Sequence, residues 1–325
     1  MSKIKNSRRS VLRGLALGAT APLLPALADT ASAAPRPLSA GDASFRWLGT
    51  SGWRIDAAGQ TLLVDPYVTR FATGIFAPPF NSKTVLPATN ATRADELCGT
   101  PDWILVTHSH WDHIADVPYL AEKHLNARVI GTETTRHLLV AWGVDPDRII
   151  VVRGGETLDL GGGLIAEIAA SLHSRNKTWS YFAPGTLTAP PAAAPENISD
   201  LPEGNTLAFL VKAGSDGPSV FLMGASDIDE RAVAGMRPQI AMVATESTFH
   251  RAHRYVPRLL EAIGRPEVVV PVHWDNFETD LGPEVVPDTT MDLTGLIDQV
   301  RRLSPGTRIV LPDYRTVYGG DMRPR

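Results

Sequence analysis

The chain has 325 residues, 43% of them hydrophobic and 20% charged, with 31 Lys/Arg against 35 Asp/Glu. That is an ordinary globular composition, long enough for one large domain or two and for a sizeable core. No Lys/Arg-rich block follows the first few residues, which speaks against nucleic acid as a partner, and the single Cys98 excludes an intramolecular disulfide.

At the N-terminus, Lys3 and Lys5 lead into Ser7-Arg8-Arg9-Ser10-Val11-Leu12-Arg13. A moderately apolar run, Gly14 to Ala28, follows, and then Ala31-Ser32-Ala33, a small-residue cleavage pattern. The segment resembles a bacterial twin-arginine export signal, whose paired arginines are an address read by a receptor. The resemblance implies the twin-arginine export machinery as a partner and a periplasmic or extracellular destination. Residues 1–33 would be removed by cleavage after Ala33, or alternatively after Ala28, leaving a single domain over residues 34–325. Pro22, Pro25 and several glycines make the apolar run too short and broken for a spanning helix, so no stable membrane span is expected after cleavage. Residues 1–33 hold five Lys/Arg and one Asp, so the remainder carries 26 positive and 34 negative groups, a net charge near −8. Such a chain has little attraction to anionic lipid or DNA.

From Ser44, Phe45–Leu48, Trp53–Asp56 and Thr61–Asp65 read as strands of a meander separated by Gly-containing turns. Residues 70–100 have weak periodicity and read as a surface excursion, with Phe71, Phe76 and Phe80 as candidates to line a site. Next comes a short apolar strand, Trp103-Ile104-Leu105-Val106. It ends in Thr107-His108-Ser109-His110-Trp111-Asp112-His113, four metal-capable side chains within six residues. Imidazole and carboxylate suit zinc and other borderline divalent ions. His108 and His110, two apart, can hold one ion; Asp112 and His113 can reach a second beside it.

This loop, His108-x-His110-x-Asp112-His113 after an apolar strand and a Thr, resembles the signature of the metallo-β-lactamase superfamily. The resemblance implies an α/β fold, an αβ/βα four-layer sandwich, with a one- or two-metal centre at the sheet edges. It makes Asp65, before Pro66, an outer-shell group that accepts a hydrogen bond from a ligand His; an Asp that merely turns the chain is the alternative.

Downstream, helical spacing runs from Ile114 to His124 and from Thr132 to Trp142, with Thr132 as N-cap, around a strand at Val129–Gly131. Strands at Ile149–Val152, Thr157–Leu160 and Leu164–Leu172 follow, the last ending in His173, which matches the superfamily's third imidazole for the first metal. The Pro-rich stretch 183–204 is a surface insertion or a partial lid, with Trp179, Tyr181 and Phe182 as an aromatic wall. Thr206–Val211 and Ser219–Met223 read as a hairpin. The second of these strands runs into Gly224-Ala225-Ser226-Asp227, a departure from the superfamily pattern, where the metal-bridging Asp directly follows the Gly. Asp227 bridges the ions if the loop is rearranged; otherwise Asp227 and Asp229 cap the next helix. The strand Ile240–Thr245 leads to His250 and His253, either substrate-facing or simply on the surface, and Tyr255–Ile263 is an amphipathic helix. Glu267–Val272 is a strongly apolar strand ending in His273, the superfamily's last ligand, on the second metal. Helix Leu293–Leu303 and strands Arg308–Leu311 and Thr316–Tyr318 complete the chain.

The expected first site is therefore His108, His110 and His173, and the second Asp112, His113 and His273, with Asp227 between them. Zinc is the expected metal, as two ions, with one ion, iron or manganese as alternatives. Metal coordination lowers the pKa of water from about 15.7 towards 7, and Asp112 is placed to orient that water or pass its proton on. The expected function is a metal-dependent hydrolase acting on a small molecule, a phosphodiester, ester or lactone, with Trp111, His250 and Trp274 facing it. A non-catalytic metal- or ligand-binding module and an iron-dependent oxidoreductase are the alternatives. Against the latter, diiron reductases of the superfamily usually carry Glu where His110 stands.

Overall fold

Alternation decides the layers. In the computed structural model, which describes residues 41–176, 178–245 and 252–325, Leu62, Val64, Leu105 and Ile130 belong to one buried cluster. Their strand neighbours Leu63, Ile104 and Val129 belong to another. Successive side chains on a strand point to opposite faces, so this sheet is covered by apolar material on both sides.

The strands are β1 (Ser44–Gly49), β2 (Gly52–Ala57), β3 (Gln60–Val64), β4 (Trp103–Leu105), β5 (Arg128–Gly131), β6 (Ile149–Val151), β7 (Thr157–Gly161), β8 (Leu164–Ser171), β9 (Thr206–Lys212), β10 (Ser219–Met223), β11 (Ile240–Ala244), β12 (Val268–Val272), β13 (Arg308–Ile309) and β14 (Val317–Gly319). They form two seven-stranded sheets, β14-β1-β2-β3-β4-β5-β6 and β13-β12-β11-β10-β9-β8-β7. Each is antiparallel at one end and parallel at the other: β3 to β6 run parallel, as do β10 to β13. The helices are α1 (Ala91–Cys98), α2 (Trp111–Ile114), α3 (Val117–Lys123), α4 (Glu133–Ala141), α5 (Glu230–Val233), α6 (Tyr255–Ile263) and α7 (Leu293–Leu303). Ala94 and Cys98 of α1, Leu120 of α3 and Leu138 of α4 pack on the outer face of the first sheet. The other cluster fills the space between the sheets, with Phe45, Trp53, Phe209 and Phe221, and reaches Leu259 of α6 and Leu296 of α7. The result is the four-layer α/β sandwich of the metallo-β-lactamase type.

The expected elements recur closely, down to Thr132 capping α4 by accepting from the Thr135 N–H. Two differences stand out. The 70–100 excursion contains α1, whose N-cap Asn90 accepts from the Arg93 N–H. The helix expected from Ile114 to His124 is two shorter helices, α2 and α3. Cys98 is buried against the first sheet, and burial pushes its thiol pKa up, which suits an inert packing role. No described helix is long and apolar enough to cross a membrane. Residues 1–33, with both proposed cleavage points, and His250 lie outside the described residues.

Candidate metal centre

Four chain segments deliver side chains to one place by ending strands there. Asp65 follows β3, the His108–His113 loop follows β4, His173 follows β8 and His273 follows β12. β3, β4 and β12 end in the parallel parts of their sheets, where the carboxyl ends of strands are the usual ligand position in open α/β sheets. β8 adds His173 from the antiparallel part of the second sheet. Two of these residues pass through left-handed backbone, Asp65 at φ 42° and His273 at φ 59°. Non-glycine residues hold that conformation only where their surroundings enforce it, and such residues gather at functional sites.

The ligand-capable atoms fall into two groups, His108 with His110 and His173, and Asp112 with His113 and His273; within each, the atoms lie within 4.8 Å of one another. Asp112 Oδ2 is 3.3 Å from His113 Nε2 and 3.2 Å from His273 Nε2. His173 Nε2 is 3.1 Å from His110 Nδ1. The Nε2 atoms of His108 and His110 are buried with no hydrogen-bond partner among the described residues. Buried polar atoms ordinarily have partners, so lone pairs gathered in this way fit a divalent cation.

The opposite edges of the rings are tied down. Asp65, fully buried, accepts from the Thr107 N–H at 2.7 Å, from the Thr107 hydroxyl at 2.6 Å and from His113 Nδ1 at 2.9 Å. The Thr107 oxygen also lies 3.2 Å from His108 Nδ1, and His173 Nδ1 donates to the Ser174 carbonyl at 2.8 Å. Asp65 thus orients His113 directly and His108 through the Thr107 hydroxyl. Gly224, leaving β10, passes so close that a Cβ there would meet Thr107 Oγ1 at 2.0 Å and Asp65 Oδ2 at 3.1 Å. Asp65→Asn is expected to weaken metal binding about 10–100-fold, the usual cost of losing such an outer partner. A competitive zinc titration checks this, and unchanged affinity would mean that the rings hold their orientation without the Asp65 charge.

Electrostatics divides the two groups. Burial pushes the His108 pKa well below its ordinary value, with His113, His173 and His110 adding to the effect. His110 is lowered to about 3, by burial first and then by His173. Both rings are therefore neutral donors at pH 7. Burial also opposes charge on His113, but Asp112 and Asp65 outweigh it and raise that ring to about 10. Burial raises the Asp112 carboxyl, and His113 and His273 overcome this to hold it well below the usual carboxylate range.

Two expected site residues are placed elsewhere. Asp227 is in neither group: its Oδ1 accepts from the Ile228 N–H at 2.8 Å and lies 3.5 Å from Arg258 Nη1. With Ala225 after Gly224, the first carboxylate comes too late in the loop and is drawn to Arg258; Asp229, not Asp227, caps α5. Trp274 does not face the cavity. It stacks on Trp47 at 5.5 Å between the sheets and donates to the Pro271 carbonyl at 3.1 Å. Trp111 does line the cavity, with Ile75, Phe76, Phe182, Phe277, Asp288, Thr290 and Met291. Of these, the sequence pointed to Phe76, Trp111 and Phe182 alone. Ser51, 3.3 Å from His113 Nδ1, was also missed; its place in the Gly49–Gly52 turn at a strand end was the available signal.

Two mixed sheets packed face to face, with clustered imidazoles and a carboxylate where strands end, define a sandwich with a candidate metal centre at its edge. Residues 44–273 match the family model described as the beta-lactamase superfamily domain, and the chain belongs to that family. A UPF0173 metal-dependent hydrolase of Polynucleobacter asymbioticus is 25% identical over 250 residues, covering 76% of this chain and 79% of that protein. Igni18, a metallo hydrolase from the archaeon Ignicoccus hospitalis, is similar in fold with a TM-score of 0.53 at 17% identity, covering 85% of this chain and 97% of its own. CmlA, a diiron β-hydroxylase from Streptomyces venezuelae, gives 0.56 at 14% identity, covering 88% of this chain and 55% of CmlA.

Proposed function

We propose that this protein is a metal-dependent hydrolase with two zinc ions, exported through the twin-arginine pathway to act on a small molecule outside the cytoplasm. One observation carries the hydrolase assignment: six buried or half-buried donors in two adjoining groups, with the Nε2 atoms of His108 and His110 left open, beneath a substrate-sized cavity. The relative in Polynucleobacter, named a metal-dependent hydrolase, supports it. His108, His110 and His173 would hold one ion and Asp112, His113 and His273 the other. Ions bound there supply Lewis acidity and a water acidic enough to attack at neutral pH. The chain itself keeps His108 and His110 neutral, fixes ring orientations through Asp65, and presents the Asp112 carboxylate beside the reacting centre.

Elemental analysis of the purified protein tests the assignment. Two zinc ions per chain, with hydrolysis lost to a chelator and restored by zinc, are expected, and the Asp227→Ala variant should keep both ions because that carboxylate engages Arg258. A metal-free, inactive protein would leave a non-catalytic binding module. Iron would favour oxidative chemistry, the activity given for CmlA on a similar fold. Export has its own check. Replacing Arg8 and Arg9 by Lys should retain the protein in the cytoplasm, and unaltered export would remove the twin-arginine route.

A further inference from the structure

The cavity over the two ligand groups has a volume of about 180 Å³, below the roughly 300–1,000 Å³ of pockets that take drug-sized ligands. Its walls come from four separate segments. Phe76 meets Phe277 edge to face at 4.9 Å, and Trp111 meets Phe182 in the same way at 5.3 Å. Ile75 and Met291 complete an apolar surface. Such walls stabilise hydrocarbon by removing it from water, and offer an anion nothing.

Charge points the same way. Among the described residues lining the cavity there is no Lys or Arg, and the one charged side chain outside the two ligand groups is a carboxylate, Asp288. Asp288 is buried and rigidly placed. Its N–H donates to the Trp274 carbonyl at 2.9 Å, and its Oδ1 accepts from the Thr290 N–H and hydroxyl, both at 2.7 Å. No Lys, Arg or His pairs with it among the described residues. A fixed negative charge at low effective dielectric repels a second one.

We propose that this cavity selects an uncharged acyl substrate, a carboxylic ester or lactone with a short hydrocarbon arm, and that Asp288 is the specificity residue that disfavours anionic substrates such as phosphodiesters. The proposal rests on the hydrolase assignment above and narrows it. One water is consumed: its oxygen bonds to the acyl carbon, and the acyl carbon–oxygen bond breaks. One water proton goes to the departing alkoxide, and the other leaves as the carboxylic acid product ionises. The apolar arm lies against Phe76, Phe182 and Phe277 while the acyl carbon sits over the ligand groups.

The test uses the metal-loaded protein with p-nitrophenyl acetate, butyrate and hexanoate, with δ-valerolactone and δ-decalactone, and with bis(p-nitrophenyl) phosphate. Each variant is compared with the parent on the same compound, so intrinsic reactivity cancels. In the parent, kcat/KM should rise about fourfold per methylene until the cavity is full. The series that shows the rise, open esters or lactones, identifies the form taken. Phe182→Ala should flatten that rise. Asp288→Asn keeps the acceptor for Thr290 and removes the charge, so it should raise phosphodiester hydrolysis relative to butyrate about tenfold. A flat chain-length series in the parent, or a ratio unmoved by Asp288→Asn, overturns the proposal while leaving a hydrolase. No turnover of any compound by metal-loaded protein overturns the hydrolase assignment as well.

Discussion

Asp112→Ala lowers hydrolysis on the order of 10³-fold and the metal content by one ion per chain, the largest functional effect expected of any single substitution here. Asp112 is the one carboxylate in either ligand group, and its Oδ2 faces His113 and His273 at 3.3 and 3.2 Å. Removing it takes the only anionic donor from the second group and leaves His113 held at its Nδ1 edge, by Asp65 at 2.9 Å and Ser51 at 3.3 Å. Binding to the first group should persist, because His108, His110 and His173 do not depend on that oxygen. Asp112→Asn is the sharper variant, since it keeps size and hydrogen-bonding capacity but not charge. It should lose most of the activity, with a weakened second ion. Elemental analysis beside kcat/KM separates two cases: loss of activity with both ions retained would make Asp112 a proton carrier and not a ligand.

The candidate ligands that the structure brings together were legible because each is announced locally. An apolar strand stopping at His108, His173 or His273 is a short-range pattern, and so is an Asp before Pro at the end of β3. What was not legible depends on distant pairings. Helix α1 has few apolar residues to give a period, only Ala94 and Cys98 being buried, so the capping of Asn90 was its one cue. Phe277, Asp288 and Met291 become cavity wall only because the chain after β12 folds back, Asp275 pairing with Pro287 and Asn276 donating to Val286. Trp274 and Trp111 look alike in sequence, each beside a candidate ligand His and before an Asp. The left-handed turn at His273 sends one indole between the sheets, whereas Trp111 opens α2 at the cavity. Asp227 was undecidable from spacing, since Arg258, its partner, lies 31 residues away.

The same long-range logic yields the largest expected effect on stability. Asp275→Ala should destabilise the fold by about 3–5 kcal/mol, the cost of leaving a buried charge without its partner, which lowers the melting temperature by on the order of 5–10 °C. Asp275 is fully buried and accepts from the Thr50 N–H at 2.9 Å, from Arg70 Nη2 at 3.1 Å and from the Tyr314 hydroxyl at 2.8 Å. The Arg70 side chain is equally buried, and its Nε and Nη1 have no other partner among the described residues. Room for that guanidinium exists because residue 49 is glycine, at φ 81°; a Cβ there would lie 1.8 Å from Arg70 Nη2. Thr50 is itself held at φ 50°, an unfavourable backbone for a β-branched residue, and its carbonyl accepts from the His273 N–H at 2.8 Å. Asp275 therefore fixes the strained turn from which the backbone of His273, a candidate ligand, hangs, so its loss should weaken metal binding as well as the fold. Adding Arg70→Met to Asp275→Ala removes the stranded charge and should recover part of the stability. Urea denaturation of the two variants decides it: a double variant no more stable than the single one would place the cost in the Thr50 turn and not in the uncompensated guanidinium.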